Sequence, residues 1–344
     1  MRGGEKVLEN FCKIYPDAEI YTHVYNPNNI SSLIKSHSVH TTFINYLPFS
    51  NKLYKYYLPL MPLALKFVNL NKFDLIISLE SGPSKGFRKN KKALHVCYCH
   101  TPMRYLYDMK NLYLKDYSIL FRKLIELVIF YLKKWDFSTS KSIDIIIANS
   151  NFVSNRIKKY WNRNSEVIHP SINLSDFTLA DKKKDYYLIL SELVEYKRID
   201  IAINAFNKNK KKLYVIGDGP LMNKYKKISK PNIKFLSSLS NGDRNKHLSN
   251  CKALIFPGIE DFGIVPLESM ASGTPVIAYK KGGALDYLKE DINGMFFNGQ
   301  NSKSLIKAIE KFENQLNIFN QTKQKKQSLI LHLLIFLQDR KSTR

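Results

Sequence analysis

Residues 253–279, ALIFPGIEDFGIVPLESMASGTPVIAY, limit the fold more than any other stretch of the chain. Ala-Leu-Ile-Phe is an apolar run of the kind that makes a buried strand, and Pro257–Gly258 ends it. Pro266 suits a first helical position, which puts Glu268 in the first turn, where a carboxylate meets the positive end of the helix dipole. Gly273 can close the helix, and Pro-Val-Ile-Ala-Tyr begins a second strand. Strand, loop, helix and strand in succession predict a parallel sheet with helices on its faces. The free N–H groups at the helix start then face the crevice at the carboxyl ends of the strands, a natural place for an anion. Glu260 and Glu268 flank that place, so the pattern predicts a ligand that is part phosphate and part polyol.

The same stretch resembles retaining glycosyltransferases of family 4. Glu260 and Glu268 match that family's E-x7-E motif, and they sit inside FGIVPLESMASGTPVI, which is similar to the family over its whole length. The resemblance implies an α/β chain of GT-B fold, with two Rossmann-like doubly wound domains facing across a cleft. Two solvated carboxylates beside a helix are the plain alternative for this glutamate pair.

The chain has 344 residues, ordinary for two domains, and 44% of them are apolar, enough for two cores. Its four cysteines, Cys12, Cys97, Cys99 and Cys251, follow no disulfide framework and suit a reducing compartment. Cys97, Cys99 and His100 invite a metal reading, but the alternation fits a core strand better and no fourth ligand is suggested. The formal charge of +25 favours phosphate-bearing partners or an anionic membrane surface. A general bias toward Lys, Asn and Ile also accounts for much of the lysine, and runs such as 182–184 and 208–212 read as solvated loops. No stretch reaches the roughly 20 apolar residues that a membrane-crossing helix needs, and the opening Met-Arg-Gly-Gly-Glu-Lys is not a signal peptide.

Taken in order, Gly3–Gly4 and the helical pattern of Val7, Leu8, Phe11 and Ile14 read as a loop feeding a helix start, again suited to phosphate. A doubly wound domain has a strand before such a loop, so the first strand of this domain is expected to be missing, through truncation or a late start codon. Ala18 to Tyr25 is expected as the next strand. Residues 46–70 interleave aromatics, prolines and lysines, fitting either a lipid-facing surface or a buried helical hairpin. The strand at 93–99 ends in CYCHTPMRYLYD, which resembles the O-antigen and capsule mannosyltransferases of the family, as do Trp135–Asp136 and the IANS run at 147–150. Ser150 is placed to cap the following helix.

The expected layout is an acceptor-side Rossmann-like domain over 1–172, a linker over 173–184, a nucleotide-sugar domain over 185–312 and an atypical tail over 313–344. The second domain opens with a segment similar to the family's SRL-x-x-x-K. Lys197 matches, but Glu192 stands at the arginine position, which removes a phosphate donor and adds repulsion; Arg198 is the candidate to compensate. Gly217-Asp-Gly219-Pro220 is similar to the family's GxGP turn, and Gly282-Gly283-Ala284 is expected to start a helix.

What the resemblance implies is transfer of a hexose, with retention, from a nucleotide diphosphate sugar to a lipid-linked or oligosaccharide acceptor in cell-surface polysaccharide synthesis. The subgroup points to GDP-mannose as donor. It implies no metal and no other cofactor, in keeping with the lack of an Asp-x-Asp motif. It assigns His100 to the transferred sugar or acceptor and Glu268 to the donor ribose. Glu260 and the amides around Phe262, Gly263, Ile264 and Val265 fall to the hexose, Lys197 to the diphosphate, and Gly3 and Gly4 to the phosphates from the other domain. The place of work would be the cytoplasm, or the inner face of the membrane. Three other readings stay open: a transferase-fold protein without activity, a basic module binding anionic lipid or, as the weaker option, nucleic acid, and a nucleotide-sugar epimerase of the same architecture.

Overall fold

The computed structural model describes residues 3–115, 117–236, 239–316 and 319. The chain divides into two compact units, residues 1–169 and 170–344. The division falls three residues before the expected end of the first domain. Residues 173–184, expected as a linker, belong to the second unit: Phe177 is buried in its core, and the Lys183 ammonium donates to the Ser249 carbonyl at 2.7 Å.

In the first unit, β1 (Ile20–Thr22) and β2 (Val39–Thr41) form a parallel pair. A separate parallel sheet runs in the order β3 (Leu75–Glu80), β4 (Leu94–Cys99), β5 (Ile145–Ala148) and β6 (Glu166–Val167). The strand expected over Ala18 to Tyr25 is thus only three residues long. Three helices frame these sheets: α1 (Gly3–Ile14), α2 (Ile119–Ser140) and α3 (Asn151–Trp161). Gly3 and Gly4 are not a loop before a helix but the first turn of α1 itself. The Ser150 hydroxyl accepts from the Val153 amide at 3.0 Å, the expected cap of α3. Residues 43–67 form short helical turns around a small core of Ile44, Met61 and Ala64.

The second unit holds β7 (Tyr187–Leu190), β8 (Leu213–Ile216), β9 (Ile233–Leu236), β10 (Leu254–Phe256), β11 (Val276–Tyr279) and β12 (Gly294–Phe297). Their order, β12-β11-β10-β7-β8-β9, is fully parallel and reverses direction between β7 and β10. That is the doubly wound order whose switch point opens a crevice at the carboxyl ends of its two central strands. The longer helices are α4 (Ile199–Asn209), α5 (Asn241–Asn250), α6 (Ile264–Ala271) and α7 (Ser302–Asn314). One face of the sheet packs Ile189, Phe206, Val215 and Ile309, the other Leu188, Leu254, Leu267 and Val276, so the central strands are apolar on both faces. Ordered structure runs past residue 312, since Glu313 accepts from the Tyr187 hydroxyl at 2.9 Å; the rest of the expected tail lies almost entirely outside the described residues.

Two expectations need correction here. The helix expected at Gly282–Ala284 is a single 3-10 turn, Gly283–Asp286. And α6 begins at Ile264, two residues before Pro266, so Glu268 sits in the second turn rather than the first. Gly263 makes the earlier start possible: it takes φ +86° as N-cap, and proline costs little inside the first turn because its missing N–H has no helical partner there.

Candidate active site

In the first unit the polar groups collect at the carboxyl ends of β3 and β4. The Glu80 carbonyl, at the end of β3, accepts from the His100 amide at 2.8 Å and the Thr101 amide at 3.2 Å. This pins the backbone just past β4 and turns the His100 ring against Tyr98, edge to face at 5.3 Å. His100 Nε2 is buried and has no hydrogen-bond partner among the described residues. Burial pushes this imidazole down to about 4, so the ring is neutral at physiological pH. A Cβ on Gly4 would stand 3.7 Å from Nε2, which brings the first turn of α1 onto the same ring.

Behind His100 lies a buried ion cluster. The Lys85 ammonium is fully enclosed and donates to Glu80 Oε1 at 3.0 Å and to Asp136 Oδ1 at 2.5 Å. Asp136 also accepts from the Tyr107 hydroxyl at 2.6 Å and from Trp161 Nε1 at 2.7 Å. The two carboxylates hold Lys85 well above the usual ammonium range, while burial raises Glu80. Arg156 of α3 clamps the loop after His100, reaching Thr101 Oγ1, the Pro102 carbonyl at 3.1 Å and Asp108 at 2.6 Å. Trp135–Asp136 had drawn notice in the sequence only by resemblance. Lys85 and Arg156 had not, because a lysine in SGPSKGFR and an arginine in a basic helix look like surface residues.

In the second unit the candidate site residues gather at the switch point. The loop after β7 leads into the 3-10 turn Glu195–Lys197, and the loop after β10 carries Glu260. The Lys197 ammonium donates to Glu260 Oε1 in a partly buried ion pair. The two loops touch through backbone: a Cβ on Gly258 would come within 3.0 Å of Lys197 Cα. Gly283 supports the loop from the other side, donating its amide to the Glu260 carbonyl at 2.9 Å. Phe262 is buried, and the Tyr287 hydroxyl donates toward the Phe262 carbonyl at 2.9 Å and the Gly263 carbonyl at 3.1 Å. The chain is thereby held just before Ile264 and Val265, whose amides are among the free ones at the start of α6.

Glu268 is almost fully buried and pairs with Arg244 of α5, with both guanidinium contacts at 3.4 Å. Nothing in the sequence marks Arg244, since it comes from another helix at no telling spacing. Arg198 is bound to Asp200, with contacts of 3.1 and 3.0 Å. Glu192 is exposed, on the loop that Gly217 and Gly219 pack against. Among the described residues no group of three or more His, Cys, Asp or Glu side chains is placed to hold a metal ion. Cys97 and Cys99 are both fully buried residues of β4, and burial pushes both thiols up.

These two arrangements can be set beside known proteins. Residues 1–176 match the family model described as "Glycosyltransferase Family 4", and residues 171–328 match that for "Glycosyl transferases group 1". The chain belongs to glycosyltransferase family 4. Membership extends through residue 328, past Phe312, where the sequence had been expected to lose the family's character. Among this glycosyltransferase's relatives is the alpha-1,3/1,6-mannosyltransferase ALG2 of Saccharomyces cerevisiae, 28% identical over 57% of the chain and 48% of the relative. The O-antigen chain mannosyltransferase RfbU of Salmonella typhimurium is 30% identical over 51% of the chain and 53% of the relative. The chain thus aligns with about half the length of each of these two. Among solved structures, sucrose-phosphate synthase from Thermosynechococcus elongatus superposes with a TM-score of 0.71 at 16% identity, covering 98% of this chain and 91% of that one. Anabaena HepE, in complex with UDP and glucose, gives 0.69 at 16% identity, covering 99% and 96%. The fold is GT-B.

Proposed function

We propose that this glycosyltransferase is a retaining mannosyltransferase that takes mannose from GDP-mannose and passes it to a lipid-linked or saccharide acceptor in cell-surface polysaccharide synthesis, working in the cytoplasm or on the inner face of the membrane. The observation that carries the reading is the switch-point loop of the second unit, where Lys197, Glu260 and the start of α6 converge beside buried Glu268. The names of ALG2 and RfbU, both mannosyltransferases, support the choice of sugar.

In this reading the α6 amides and Lys197 take the donor diphosphate, aided by Arg198, and need no metal or other cofactor. Positive ends held in place before reaction stabilise charge as it develops on the leaving group. Glu268, steadied by Arg244, takes the ribose hydroxyls. Glu260 and the backbone from Phe262 to Val265 orient the mannose. The C1–O bond to phosphate breaks through an oxocarbenium-like state, the acceptor oxygen bonds to C1 on the same face, and the acceptor proton leaves on the departing phosphate. His100 offers a neutral imidazole whose Nε2 is open to a sugar hydroxyl, and the α1 start at Gly3–Gly4 offers amides beside it.

The test is a panel of radiolabelled nucleotide sugars, scored for transfer and hydrolysis. GDP-mannose is expected to turn over and the others not; turnover of a different donor alone overturns the mannose assignment. Glu268→Ala is expected to abolish turnover, and retained activity in that variant removes Glu268 from donor binding. The exposure of Glu192 at a diphosphate position favours one second reading, a family member that binds donor weakly and no longer transfers it. Donor binding without any turnover across the panel would select it.

A further inference from the structure

Helix α2 carries two apolar stripes, and one of them is exposed among the described residues. The inner stripe, with Ile129 and Leu132, packs on Met103, Leu106 and Leu114. The outer stripe is Leu120, Leu124, Leu127 and Tyr131, at i, i+4, i+7 and i+11, the spacing of one helix face. These four are 79%, 59%, 68% and 49% exposed. A soluble helix normally turns charged residues outward at such positions, and a row of large exposed aliphatics marks a surface that something covers.

The charges around the stripe say what covers it. From 119 to 141 the sequence has five basic side chains, Arg122, Lys123, Lys133, Lys134 and Lys141, against Glu126 and Asp136. Asp136 is buried in the ion cluster and Glu126 is engaged by Lys110 at 2.6 Å. The Lys134 ammonium lies over the exposed Phe130 ring at 4.4 Å and that of Lys141 over the Phe137 ring at 4.9 Å. Lysines that lay their stems along apolar surface and hold their heads at its edge suit a water–lipid boundary. A second copy of the chain fits poorly, because a two-fold contact would set this basic rim against itself. Nucleic acid would match the lysines but leave the leucines wet. Among the described residues no helix is long and apolar enough to cross a membrane, so the helix would lie on the surface. The neighbouring segment adds to the same character: Tyr46, Phe49, Tyr56 and Phe67 are all at least 70% exposed, and Leu58 beside them packs into the core under α2.

We infer that the outer face of α2 is a docking surface for an anionic lipid bilayer, with Leu120, Leu124 and Leu127 inserted among the acyl chains and Lys123 and Lys134 at the headgroups. The inference deepens the proposed work at a membrane, and its test needs no sugar. The full chain is mixed with vesicles of phosphatidylcholine alone or with phosphatidylglycerol, and binding is read by flotation. Expected is binding to the anionic vesicles that weakens as salt rises. Leu124→Gln/Leu127→Gln should weaken it more than tenfold with an unchanged melting temperature, since these side chains make no core contact. Lys134→Gln should weaken it about fivefold on anionic vesicles and leave neutral ones unaffected. An environment-sensitive dye on Leu127→Cys, which the four buried native cysteines allow, should shift to the blue with vesicles. Equal binding by the double-leucine variant, or binding without a dye shift, overturns the inference. So does a dimer that the double-leucine variant abolishes, which would assign the face to a second copy, or salt-sensitive RNA binding lost in the same variant. A wild-type chain that turns over sugar but binds no vesicles would sink the docking surface alone; one that binds anionic vesicles but turns over no sugar would sink the transferase reading and leave the surface standing.

Discussion

Gly283→Ala is a sharp test of how the second unit builds its site, because Gly283 contributes no side chain of its own. A Cβ there would lie 2.3 Å from the Asp261 carbonyl oxygen and 2.5 Å from Phe262 Cα. Ordinary contact begins at 3.4 Å, so the 260–262 backbone must retreat by about 1 Å. That retreat strains the 2.9 Å hydrogen bond from the Gly283 amide to the Glu260 carbonyl and draws Glu260 off Lys197. Overpacking of this kind costs about 1–3 kcal/mol, a fall of several degrees in melting temperature for a unit of this size. A 1 Å displacement of positioning groups costs on the order of a hundredfold in rate. The assay is kcat/KM for donor turnover beside a calorimetric melt. Gly242→Ala is the control: its Cβ would meet only Ser240 Oγ, at 3.8 Å, so both measurements should stay at wild type. Unchanged kcat/KM in Gly283→Ala would refute the claim that the 260–262 backbone governs the site.

The other expectations concern charge. Glu192→Arg should raise donor affinity about tenfold by supplying a charge-assisted bond to phosphate, and calorimetry showing no gain would place the diphosphate elsewhere. Burial lowers His100 from 6.5 to about 4, so between those values the unfolded chain binds the extra proton and stability falls as pH drops through that window. Urea unfolding at pH 7 and pH 5 should differ by about 2 kcal/mol more in the wild type than in His100→Phe; equal slopes would mean that water reaches the ring. Lys85→Met would strand Glu80 and Asp136 in the interior and should cost about 3–5 kcal/mol, whereas a wild-type melt would show that one carboxyl simply takes up a proton.

The second unit was nearly all legible in its sequence and the first only in part, for a physical reason. Parallel strands buried on both faces read as continuous apolar runs, and β7, β8, β10 and β11 are such runs, so the doubly wound unit shows itself directly. The 253–279 stretch displayed its loop and helix in order, and the only slip was the helix start. Proline prefers the first helical position, but Gly263, able to take a positive φ, lets the turn begin two residues before Pro266. Contacts between distant segments left no mark. Arg244 on Glu268, Lys85 on Asp136, and Arg156 on the HTPMRY loop join residues 24 to 55 positions apart. Local spacing holds no record of which arginine or lysine the fold will bury.

The two units fix their loops by different means, and this bears on how each will respond to change. In the first, the loops past β3 and β4 are tied by charge: Lys85 between two carboxylates, and Arg156 across Thr101, Pro102 and Asp108. In the second, backbone lies on backbone through glycine. Gly217 would place a Cβ 1.9 Å from the Ser191 carbonyl, Gly219 one 2.7 Å from that of Leu193, and Gly282 one 2.5 Å from that of Glu260. A charge tie is lost when a partner is neutralised, and a buried carboxylate already raised by burial is the first to go. A backbone contact has no proton to gain. Acid should therefore loosen the loops of the first unit before those of the second, and hydrogen exchange at falling pH should show the amides of His100 and Thr101 opening while those of Leu193 and Gly283 remain protected. Simultaneous opening of both would mean that the Lys197–Glu260 pair, and not the glycine contacts, holds the loops of the second unit.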